Sequence, residues 1–192
     1  MADLEAVLDE AGLTNPRVRA FVEEYAELTG AEHVEVVNAS DDARLLEEAV
    51  AAGELQRAGE GRYYSRSYHK DTARSEERTI VATHDEKDRG VYNNWRPASE
   101  MKPLLHDRMR GASEGKTMYV VPYLMAPPGN PLAPWAAGVE LTDTRTVVLH
   151  MIRMARVDVQ HVNDLDDPDS FVRAVHVTGD LEHLGDRKST RL

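Results

Sequence analysis

Along the first third of the chain the apolar positions change period twice. Val18, Phe21, Val22, Tyr25 and Leu28 fall three or four apart, the spacing of one helical face. Asn15-Pro16 supplies a capping side chain and a proline at the first helical position, and Gly30 closes the run. His33–Asn38, with Val34, Val36 and Val37, reads as a short strand. Ser40 then caps a second helix containing Leu45, Leu46, Ala49 and Val50, ended by Gly53. Residues 1–61 are therefore expected to run helix, strand, helix. The three glycines in 53–62 predict a loop or turn.

Farther on, Arg62-Tyr63-Tyr64 favours strand, Thr72 to Glu77 suits a short helix, and Thr79–Ala82 reads as a buried strand. Pro97 to Arg110 places Met101, Leu104, Leu105 and Met109 on one helical face, although Pro103 interrupts its early turns. Thr117–Met125 is the strongest strand in the chain, and a Pro- and Gly-rich loop follows from Ala126 to Pro134. Val139–Leu141 and Thr146–Met151 read as further strands, and Pro168–His176 as a helix. No internal repeat appears. The order of elements predicts an α/β class, a mixed sheet with flanking helices, in one domain over 1–192.

Composition narrows the possible functions. The chain has 192 residues, 41% apolar and 30% charged, with a net charge of −11, which indicates a globular protein with a core. The charge is uneven: residues 1–61 hold 15 acids and 4 bases, whereas 62–117 hold 9 acids and 12 bases. The acids of the first third read as solvated helix surface. An overall acidic balance argues against nucleic-acid and anionic-membrane partners but leaves room for a local anion site in the basic middle. Stacking of single-stranded bases on Tyr63, Tyr64 and Tyr68 is disfavoured by the same charge. No run approaches the ~20 apolar residues of a membrane span, the acidic start Met1-Ala2-Asp3-Leu4-Glu5 lacks the features of a secretion signal, and there is no cysteine. The expected compartment is the cytoplasm.

Among candidate chemistries, Gly111-Ala112-Ser113-Glu114-Gly115-Lys116-Thr117 imitates a phosphate loop but has three residues between its glycines instead of four. It also follows a helix and precedes a strand, the reverse of the required order. It reads as a turn with Lys116 in solvent. The eight histidines show no helical zinc spacing, and Asp164, Asp166, Asp167 and Asp169 lack the glycine and terminal glutamate of a calcium loop. These aspartates read as a turn plus the N-terminal charge of the Pro168 helix. No metal ligand, cofactor ligand or catalytic residue is assigned. Arg62, Arg66, Lys70, Arg74 and Arg78 recur every four residues. Arg74, preceded by the small Thr72-Ala73, is the member best suited to offer a two-pronged donor to a carboxylate or phosphate. His69 lies close to it in sequence.

The stretches Gly115-Lys116-Thr117-Met118-Tyr119-Val120-Val121-Pro122-Tyr123, Pro127 to Ala133, and Gly138-Val139-Glu140-Leu141-Thr142-Asp143 resemble, in order and spacing, motifs of GTP-dependent phosphoenolpyruvate carboxykinase. That family carries Gly-Arg-Thr-Met-Tyr-Val-Ile-Pro-Phe, Gly-Pro-Leu-Gly-Ser-Pro and Gly-Ile-Glu-Leu-Thr-Asp at these places. Upstream, Asp71-Thr72-Ala73-Arg74-Ser75-Glu76-Glu77-Arg78-Thr79 and Asn93-Asn94-Trp95 also match. The resemblance covers about residues 30–178 and implies the fold of that enzyme's N-terminal part. It implies conversion of oxaloacetate and GTP into phosphoenolpyruvate, carbon dioxide and GDP, with manganese and magnesium as cations and a monomeric full-length enzyme. In the family the arginine at the position of Arg74 contacts the acidic substrate. The family's metal ligands, its phosphate loop and its guanine pocket have no counterpart in these 192 residues, so the chain alone is expected to be inactive. A non-catalytic dicarboxylate-binding module is the alternative. The polar end 187–192 reads as a truncation or a non-native junction.

Overall fold

The computed structural model of the chain describes residues 4–65, 79–92 and 94–178. Its centre is a mixed sheet built on β6 (Thr117–Leu124) and β7 (Ala137–Thr142), a hairpin paired from Tyr119–Thr142 to Leu124–Ala137. β1 (His33–Val36) runs parallel to the start of β6, and β8 (Arg156–Val157) pairs with its end. β9 (Val172–His176) lies parallel to β7 on the other side. Pro122 coincides with the gap between the β1 and β8 pairings, a place where a missing donor is tolerated.

Strand alternation sends side chains of this hairpin to two cores. Met118, Val120, Val139 and Leu141 face α1 (Leu4–Glu10) and α2 (Pro16–Thr29), packing on Leu8, Leu13, Val18, Phe21 and Val22. Tyr119, Val121 and Tyr123 face α3 (Asp42–Ala51) and α5 (Arg145–Met154), packing on Leu45, Ala49, Val148 and Leu149. With both faces covered, β6 reads as a continuous apolar run and is buried from Met118 to Leu124.

The expected α2 forms with the expected caps. Asn15 Oδ1 accepts from the N–H groups of Arg17 and Val18, and Gly30 adopts φ 67°, which an L side chain resists. Asn15 is itself buried. Its amide donates to Val162 O at 2.8 Å and Pro168 O at 3.1 Å, joining the start of α2 to α6 (Gln160–Asn163) and the loop after it.

Several expectations need correction. Thr146–Met151 is not a strand but the interior of α5, and Pro168–His176 is not a helix but a turn followed by β9. The aspartates before it therefore border a turn, with no helix at Pro168. The glycine-rich 53–62 contains a strand, β2 (Gln56–Gly59), which pairs with β3 (Arg62–Tyr64). The buried strand expected at Thr79–Ala82 is instead the partly exposed β4 (Val81–Thr83). It pairs with β5 (Trp95–Pro97), which leads into α4 (Ala98–Met109). Of the apolar face expected for α4 only Met109 is buried, and Leu104 is exposed. Among the described residues, no helix is long and apolar enough to cross a membrane.

Candidate functional site

Arg74, the residue singled out for anion binding, lies outside the described residues, as do His69, Arg66, Lys70, Arg78 and the short helix expected at Thr72–Glu77. Arg62, the remaining member of the series, is exposed on β3. The elements next to Arg74 in sequence are nevertheless well fixed. Val81 N donates to Asn94 O at 3.0 Å, and the indole N–H of Trp95 donates to Thr83 Oγ1 at 2.7 Å. The Asn-Trp motif thus holds β5 against β4, seven residues downstream of Arg74. α4 connects this small sheet to the body, where Met109 and Ala112 pack with Val177, Tyr25 and Leu28.

The stretches that begin at Gly115 and Gly138 prove to be one structure, since they form the paired strands β6 and β7. Three contacts join them. At the open end of the hairpin, Lys116 Nζ lies 3.1 Å from Asp143 Oδ2. At the loop end, Tyr123 pairs with Gly138, and a Cβ on that glycine would lie 2.4 Å from the phenol Cζ and hydroxyl. The ring therefore occupies the space of the missing side chain, which explains an aromatic residue opposite a glycine. Between them, Glu140 stands opposite Val121 and beside Ala174. Burial among these apolar neighbours pushes its carboxyl up to about 7.

Lys116 is thus not the solvated lysine expected. The helix–turn–strand order is as read, but the side chain is one-third exposed and its ammonium donates to Asp143 Oδ2, to Ala112 O at 2.9 Å and to Thr178 Oγ1 at 3.0 Å. The Asp143 side chain is 0% exposed. It also accepts from Ser113 Oγ and from the backbone N–H and hydroxyl of Thr178. A second cation, Arg145, lies 5.8 Å over the Tyr119 ring and is engaged by Glu48 and Glu54, so it ties α5 to α3 and its chain end. Burial pushes the Tyr119 phenol up to about 12, which keeps it neutral there.

Among the described residues no group of three or more His, Cys, Asp or Glu converges as a metal site. Lys116, the lysine of the stretch that imitates a phosphate loop, is committed to Asp143. Asp143 and Glu140 received no role from the sequence. The available signals were an acid at a core-facing position of an apolar strand and an acid directly after it.

The sequence profile of the phosphoenolpyruvate carboxykinase N-terminal domain matches residues 20–191. Curated relatives include the "Phosphoenolpyruvate carboxykinase [GTP]" of Renibacterium salmoninarum, 37% identical over 182 residues, covering 91% of this chain and 30% of the relative. Proteins of the same name from Corynebacterium efficiens (34% over 184 residues, covering 93% and 30%) and Paenarthrobacter aurescens (35% over 190 residues, covering 93% and 31%) are similar in the same way. The chain therefore spans about 30% of the length of these relatives. With the matched region running from within α2 through the last described strand, the chain belongs to the phosphoenolpyruvate carboxykinase N-terminal domain family.

Proposed function

We propose that this chain is the N-terminal, substrate-binding portion of a cytoplasmic GTP-dependent phosphoenolpyruvate carboxykinase. The whole enzyme would convert oxaloacetate and GTP into phosphoenolpyruvate, carbon dioxide and GDP in gluconeogenesis, acting as a monomer. The observation that carries this reading is the family match over residues 20–191, which includes the Asp71–Thr79 motif and its Arg74.

Oxaloacetate and phosphoenolpyruvate are small polyanions. A guanidinium can meet a carboxylate or phosphate through two parallel hydrogen bonds and offset its charge, and such positioning dominates phosphoryl transfer. In this reading Arg74 supplies that contact, while GTP and the divalent cations, manganese and magnesium, are held by the part of the relatives that the chain does not span. The 192 residues alone would then bind the substrate anion but not turn it over.

Calorimetric titration with phosphoenolpyruvate, oxaloacetate and malonate tests the binding half. Heat with at least one of the three supports it, and silence with all three contradicts it. An assay of the purified chain with oxaloacetate, GTP and manganese tests the other half, since GTP-dependent formation of phosphoenolpyruvate would refute inactivity.

A further inference from the structure

The Asp143 carboxylate joins three pieces of chain that are distant in sequence. One is the turn 111–116 at the root of α4, reached through Ser113 Oγ at 3.3 Å and Lys116 Nζ at 3.1 Å. Another is the end of β7, where Asp143 itself sits. The third is the chain leaving β9, where the Thr178 N–H donates to both carboxylate oxygens at 3.0 and 3.2 Å and its hydroxyl lies 3.2 Å from each. Lys116 closes the loop by donating to Thr178 Oγ1 and Ala112 O.

This clasp has a direction. The turn at 111–116 roots the arm formed by α4, β5 and β4, and the sequence running into β4 carries Arg74. Thr178 stands at the other exit, on the way to whatever follows β9. We infer that Asp143 is a positioning residue: through Lys116, Ser113 and Thr178 it fixes the arm that follows Arg74 against the outgoing chain. A contact between Arg74 and a substrate anion needs the arm that follows it held in one register on the sheet, and a carboxylate shielded from water holds that register more firmly than a surface ion pair does. A misplacement of about 1 Å far from the chemistry is enough to cost a reaction two orders of magnitude. This inference rests on the substrate-binding reading of Arg74.

The test uses the absence of cysteine in the chain. Spin labels placed through Lys102→Cys on α4 and Val172→Cys on β9, both exposed, report the distance between arm and outgoing strand. The reference chain and Glu23→Gln, an equal change of charge at an exposed position of α2, are expected to give one narrow distance distribution, and Asp143→Asn a broadened or shifted one. Phosphoenolpyruvate affinity, titrated at a temperature where circular dichroism shows every variant folded, is expected to fall at least tenfold in Asp143→Asn and to be kept in Glu23→Gln. An unchanged distribution, or an unchanged affinity, in Asp143→Asn overturns the inference. If Asp143→Asn fails to fold, Thr178→Val, which removes only the hydroxyl, reads the same clasp with a smaller expected shift, and no shift overturns it. A reference chain silent to phosphoenolpyruvate counts against the Arg74 reading, and the distance distribution then judges the clasp alone.

Discussion

A glycine and an acid, two residues apart on β7, are governed by the same packed surface. Gly138 has no room for a methyl group, because the Tyr123 ring lies across it. Gly138→Ala is therefore expected to destabilise the fold by roughly 2 kcal/mol or more through overpacking. Tyr123→Leu in the same chain should recover much of that loss, a coupling of ~1 kcal/mol or more that a double-mutant cycle in urea would measure. Glu140 responds to pH. Its carboxyl is raised from 4.5 in the open chain to about 7 by burial, so the folded state holds the proton more tightly. Its contribution to stability is full below pH 4.5 and is lost progressively as pH rises to 7. Glu140→Gln should leave the melting temperature nearly unchanged at pH 4.5 and raise stability by about 1–3 kcal/mol at pH 8, a range reduced for partial exposure. Equal effects at both pH values would contradict this account. Gly138 was legible as part of a motif, but its reason was not, since the Tyr123 contact depends on strand register.

At the scale of elements, the correct expectations are those in which local chemistry and periodicity agree. α2 has a capping asparagine, a proline at its start, a glycine at its end and an unbroken apolar stripe, and it forms as read. α5 shows the opposite case. Thr146, Val147, Val148 and Ile152 favour strand, yet the segment is helical because Val148 and Leu149 fill the core over Tyr119 and Tyr123. The intrinsic penalty is only ~0.5 kcal/mol per β-branched residue, well below the burial gained. β9 went unread because its period-two set, Phe171, Val175 and Val177, is diluted by Arg173. Asn15 links elements that local sequence cannot connect: its amide reaches Val162 O and Pro168 O, some 150 residues away. Asn15→Ala should cost roughly 1–3 kcal/mol, from a lost cap and the loss of the donor to the buried Val162 carbonyl and the partly buried Pro168 carbonyl. A loss below 1 kcal/mol in chemical denaturation would show that the long-range bonds contribute little.

For the whole molecule, the fold class was readable because ordered motifs and alternating periods agreed on β1, β6 and β7, whereas β8 and β9, which complete the central sheet, were not legible. The acids of the first third do lie largely on exposed helix faces, several of them paired with Arg19, Arg44 and Arg57. The internal ties that matter most, Lys116 with Asp143 and Arg145 with Glu48 and Glu54, join residues 27 to 97 positions apart. Spacing arguments do not reach them. In the proposed function one guanidinium in the basic middle of this acidic chain, that of Arg74, meets the substrate anion. The most direct measurement is a calorimetric titration of phosphoenolpyruvate into the chain, Arg74→Ala and Arg66→Ala at one salt concentration. Arg66 is the control because the two substitutions change net charge equally. Binding by the parent chain and by Arg66→Ala, with a loss of about 10–100-fold in Arg74→Ala as expected for a charge-assisted hydrogen-bonded contact, is the predicted result. Equal binding by Arg74→Ala and Arg66→Ala would contradict the assignment.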